Sequence, residues 1–144
     1  MSTGLLHLHN ILRWVILITL LLSIYKLAVK QDALKTSKIL LISSHTTLLL
    51  GVYQYFTGNV GFQLIKAAGM AAAMKDAASR FWAVEHISSM ILAIALITIG
   101  HVRYKKSGKQ TATLVLYVIA LLLILLAMPW PFKAGVGRPW FPGM

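Results

Sequence analysis

Histidine is the residue type that could do chemistry at membrane depth in this chain. Four of the five histidines fall in or at the ends of long apolar segments: His9 in the first, His45 in the second, His86 in the third, and His101 closing the third. An ionisable group at that depth costs ~2.5 kcal/mol or more on insertion scales, so it marks a site more often than decoration. Imidazole is a common metal ligand and a frequent axial ligand of haem iron. Either chemistry needs two or more rings to meet, so the elements that carry them decide the matter.

Those elements are apolar. Hydrophobic residues make up 58% of the 144 and charged residues only 12%, with a mean hydropathy of +0.77; this is the composition of an integral membrane protein of one domain. The spans are read at about 5–27, 39–56, 81–100 and 111–128. At ~1.5 Å of rise per residue each can cross a ~30 Å hydrocarbon core once frayed ends are included. The first is interrupted by His7, His9, Asn10 and Arg13; the second is uncharged but holds His45 and Gln54; the third holds Glu85 and His86. The expectation is an all-α integral membrane protein, an antiparallel four-helix transmembrane bundle over 1–144. The first span does not read as a cleavable signal peptide, because it lacks a basic leading region and a small-residue cleavage site.

Between the second and third spans, the alanine-rich stretch from Phe62 past Met74 predicts an interfacial helix over about 62–78, a spacer or a lid. Pro129-Trp130-Pro131-Phe132 breaks the fourth helix and supplies interfacial aromatics, and Trp140 and Phe141 pin an irregular tail to the surface.

The net charge of +11 does not point to nucleic acid, because the basic residues are confined to short loops. Lys26, Lys30, Lys35 and Lys38 lie between spans one and two, and Arg103, Lys105, Lys106 and Lys109 between three and four. These denser loops are expected on the cytoplasmic side, with both termini periplasmic. The absence of cysteine excludes disulfides, cysteine-ligated iron–sulfur clusters, thiolate zinc sites and covalently attached c-type haem.

Depth suggests which histidines pair. By helical rise, His9 lies ~6 Å and His86 ~7.5 Å below the outer boundary, while His45 lies ~9 Å above the inner boundary, where His101 sits. His86 and His101 are ~60° apart around their helix and ~22 Å apart along it, joined by a narrow stripe of Met90, Ala93, Ile97 and Gly100 that permits close approach. Two heights, each with two opposed histidines, is the layout of a two-haem b-type electron wire built in a bundle core. Arg13, one turn past His9, would then pair with a haem propionate, or structurally with Glu85. Glu85 is otherwise a candidate proton carrier for a quinone.

The chain resembles the short four-helix bacterial membrane proteins known as cytochrome b, and more distantly cytochrome b561-type folds. The resemblance is carried by His9-Asn10-Ile11-Leu12-Arg13-Trp14, Ser44-His45 followed by Gly51, Phe81-Trp82-Ala83-Val84-Glu85-His86, Ile99-Gly100-His101 and Pro129-Trp130-Pro131-Phe132. It implies non-covalent haem b, one or two, on histidine ligands in the bacterial inner membrane, carrying electrons between a quinol pool and a redox partner. His45 departs from it, since two-haem relatives commonly draw all four ligands from two helices. Two other classes stay open: a histidine-lined metal or proton carrier, and a non-catalytic subunit or scaffold in a larger complex or a homo-oligomer. No acyl-transfer, metalloprotease, P-loop or dinucleotide motif is present.

Overall fold

Long runs of Leu, Ile, Val and Ala offer the backbone no polar partner but itself. In the computed structural model, which describes residues 3–143, they are helical throughout. The order is α1 (Thr3–Ala28), α2 (Leu34–Thr57), the short α3 (Phe62–Ala68), α4 (Met70–Lys75) and α5 (Ala77–Arg80), a π-helical turn at Phe81–Glu85, then α6 (His86–Ser107) and α7 (Gln110–Ala127). Four of the helices are long and apolar enough to cross a membrane.

Turn chemistry, rather than hydropathy, sets the boundaries. Lys30 takes a left-handed φ of 58°, with the amides of Lys30 and Gln31 bonded back to Leu27 and Lys26; this is the double cap that closes a helix, with lysine where glycine is usual. Asp32 accepts from the Leu34 amide and opens α2 five residues before the expected Ile39. Gly108, at φ 64°, ends α6 seven residues beyond Gly100. His101 is therefore not a boundary residue: it lies inside α6 and is only 6% exposed. The expected single interfacial helix at 62–78 is three pieces, broken at Gly69 (φ 86°) and at Asp76, whose side chain caps Ser79.

The long helices pack in a ring. α1 lies against α2 and α7, and α6 against α2 and α7, leaving α1 and α6 on one diagonal. Outward-facing Leu49 and Leu126 are 74% and 75% exposed, as lipid-facing residues are. Lipid is as apolar as leucine, so helices associate through close packing and polar contacts instead. The buried interior accordingly mixes Leu20, Leu40, Ile97 and Tyr117 with Ser23, Ser37, Ser44 and Thr113, all 0% exposed.

Gly100 shows how tight the packing is. A Cβ there would stand 2.8 Å from Cε1 of the Tyr117 ring. The expected stripe of α6 does face inward, with Ala93, Ile97 and Gly100 buried. At Gly100, though, the close approach serves a tyrosine. Gly100→Ala should overpack this contact and cost about 1–3 kcal/mol, lowering the thermal midpoint in detergent, whereas Gly4→Ala, with nothing within 4 Å, should leave it unchanged.

Candidate functional site

Two side-chain contacts fix the end of the bundle that carries the α1 N-terminus and the π turn. Gln54 of α2 donates to the Leu5 carbonyl of α1 (3.0 Å), and its neighbour Tyr55 donates to the Ala83 carbonyl of the π turn (2.7 Å). One turn inward from that rung lie His9 on α1, Gly51 on α2 and His86 on α6. A Cβ on Gly51 would lie 3.5 Å from His9 Nε2. Both histidines thus lie one turn from the same rung of contacts. The two histidines sit on the diagonal helices α1 and α6.

His86 is oriented by two features of its own segment and one of α7. The π turn ends on a bond from the His86 amide to the Phe81 carbonyl, and such turns re-aim the side chains that follow. The Phe81 and Trp82 rings flank the imidazole at 5.7 and 5.6 Å. Its Nδ1 then donates to the Ala127 carbonyl (2.7 Å). A carbonyl can only accept, so the proton of the neutral ring is on Nδ1 and Nε2 keeps its lone pair. That carbonyl is free because four residues on stands Pro131, which has no N–H to give it. Pro129 likewise leaves the Leu125 carbonyl open, and the Trp130 indole takes it at 2.8 Å.

Arg13 is 9% exposed and its partners are backbone, not carboxylate. Its guanidinium donates to the carbonyls of Pro139 (3.0 Å) and Trp140 (2.8 Å), and the Trp14 indole donates to the same Trp140 carbonyl at 2.7 Å. The structural pairing of Arg13 with Glu85 is not formed: Glu85 binds Arg80 at 2.6 Å, the one ion pair among the described residues. The five-residue spacing across the π turn brings those two together. Trp14 stacks on Trp140 and Phe141, while Arg138 and Lys133 lie over Trp82 and Phe81 at 4.9 and 5.3 Å. The tail thus bridges α1 and the π turn. Inside it, Arg13 Nε and Asn10 Oδ1, one turn apart on α1, are buried without hydrogen-bond partners, which is costly unless something satisfies them.

The inner histidines are engaged differently. His101 Nδ1 bonds Ser37 Oγ at 2.8 Å, and Ser37 also bonds the Tyr117 hydroxyl. His45 is exposed and its Nε2 bonds Thr98 Oγ1 at 2.9 Å. Each ring answers a hydroxyl on a facing helix. Ser37, Tyr117, Tyr104 and the tail carbonyls are the participants that the sequence reading missed. The seven-residue spacing of Ser37, Ser44 and Gly51 was a usable signal for a small inward face on α2; backbone carbonyls leave no signal in composition. Among the described residues no three His, Asp or Glu side chains converge as a metal site.

Asp32 closes the opposite end, accepting from the Leu34 amide (3.1 Å) and the Tyr104 hydroxyl (3.0 Å). These two bonds, with Lys26 nearby, hold its carboxyl below the usual carboxylate range. A depressed folded value stabilises the fold above the unfolded value near 3.8 and loses that contribution as pH falls through the folded one. Asp32→Asn should therefore lower the thermal midpoint at neutral pH, and the gap to the parent should close on acidification. No protein-family model, curated protein or solved structure matches this chain.

Proposed function

We propose that the chain is an antiparallel four-helix transmembrane bundle holding one b-type haem at its outer end, with His9 and His86 as axial ligands. The observation that carries this reading is the bond from His86 Nδ1 to the Ala127 carbonyl, the outer-shell contact that fixes a ligating imidazole and leaves Nε2 for the iron. Haem would supply a reversible one-electron couple, exchanged between a quinol pool and a partner protein.

The chain's own residues fit that group. Arg13 lacks a carboxylate partner, and its unsatisfied Nε–H suits an incoming acidic group, while Asn10 Oδ1 can accept only from a water or hydroxyl beside it. Gly51 leaves the His9 ring room that a larger residue would take. Phe81 and Trp82 pack against the His86 imidazole and lower its exposure to water, as a low-dielectric redox site requires. The inner pair does not fit as arranged, since His45 Nε2 is spent on Thr98 and the Tyr117 ring fills the space beside Gly100. Those histidines instead join helices through hydroxyl contacts, useful where lipid gives no hydrophobic drive. A metal carrier would need ligands in clusters of three or more, and none forms among the described residues.

Two measurements test this. Protein produced with ample haem should carry about one iron per chain and show Soret and sharp reduced α bands, the signature of low-spin bis-histidine iron. His9→Ala and His86→Ala should each lose the haem, while His45→Ala and His101→Ala keep it; an unchanged spectrum in His86→Ala ends the proposal. For orientation, the basic loops at 26–38 and 103–109 are assigned to the cytoplasmic face of a bacterial inner membrane. A cysteine at Gly4 should react with an impermeant reagent from outside and one at Ser107 should not; the opposite pattern inverts the topology.

A further inference from the structure

The other end of the molecule carries a second feature that the haem reading does not use. At the turn between α6 and α7 an open groove of about 600 Å³ is lined by Arg103 and Lys109 at its mouth and by Thr111, Ala112, Val115 and Leu116 along its wall. Gly108, left-handed at φ 64°, makes the tight turn between α6 and α7, and both cations line the one groove. Neither has an ion-pair partner among the described residues. The chain contains no Asp or Glu after Glu85, and the nearest inner-end acid, Asp32, is held by Tyr104 and Leu34. Below the mouth the surface turns apolar: Val115 is 53% exposed, and Val118, Ile119 and Leu122 continue the exposed strip along α7.

Two unpaired cations above an apolar strip match a molecule with an anionic head and hydrocarbon chains. A free phosphate would use the cations and leave the strip uncovered, whereas a zwitterionic lipid brings no net charge to neutralise them. We infer that this groove binds an anionic phospholipid, its phosphate between Arg103 and Lys109 and an acyl chain along Ala112, Val115 and Leu116. The site requires only that α7 lie in a bilayer, so it stands or falls independently of the haem. Basic pockets between membrane helices hold lipid headgroups on these terms. Arginine adds a forked contact to phosphate, where lysine gives a point charge.

The test is native mass spectrometry of the full chain in detergent, titrated with phosphatidylglycerol, phosphatidylcholine or inorganic phosphate. Phosphatidylglycerol should be retained in preference to phosphatidylcholine. R103Q/K109Q should weaken its retention about tenfold, while K105Q/K106Q, an equal charge change outside the groove, should change it by no more than about twofold. Val115→Ser should weaken phosphatidylglycerol retention too, a loss that a purely ionic site would not show. Equal losses in the two double variants would mean unspecific attraction and overturn the site. So would equal retention of phosphatidylcholine, or displacement of the lipid by inorganic phosphate.

Discussion

The end of this protein that carries the π turn depends on a carbonyl oxygen that no amide can reach. Ala127 ends α7, and the residue that would have closed its hydrogen bond is Pro131. An unpaired carbonyl inside a membrane protein is expensive. His86 satisfies it, and in doing so is fixed in one tautomer on one heading. The rings of Phe81 and Trp82, the cations of Lys133 and Arg138 above them, and the tail that carries those cations are all arranged around that imidazole. A helix end and a histidine thereby solve one another's problem.

The two ends of the ring of helices use polarity differently. At the inner end hydroxyls answer imidazoles, and Ser37 serves both His101 and Tyr117 from a fully buried position. Such contacts are worth less than intuition suggests in a bilayer, on the order of 1 kcal/mol each, because helices apart also find partners. Their effect is on register: Ser37 with His101 and Ser23 with Thr36 each fit one rotation of each helix. Three buried atoms are left unanswered, Ser44 Oγ on α2 and, at the end that carries the π turn, Arg13 Nε and Asn10 Oδ1. A stable fold tolerates such atoms chiefly where function needs them.

Much of the helical content was legible, because a run such as Leu121-Leu122-Leu123-Ile124-Leu125-Leu126 admits nothing else at membrane depth. The shared height of His9 and His86 was legible too, since rise per residue is constant and both helices start from the same side. Boundaries were less so. Hydropathy placed the end of the third span at Gly100, whereas a helix stops where its caps are, at Gly108. The partners of Arg13 were out of reach of any side-chain argument, because they are the carbonyls of Pro139 and Trp140, and a carbonyl has no residue type. Proline spacing at 129 and 131 held the clue to the Ala127 carbonyl, but only once α7 was known to end there.

Arg13 ties this architecture to the order in which it is made. Its carbonyl partners lie 126 and 127 residues downstream, so α1 must enter the membrane long before they are synthesised. A guanidinium near a helix's outer turns can wait by snorkelling toward the headgroups. Pro139 and Trp140 give it fixed carbonyls in the finished fold, and the Trp14 indole shares the Trp140 carbonyl. Assembly thus has a late step in which the outer end closes over a residue inserted early.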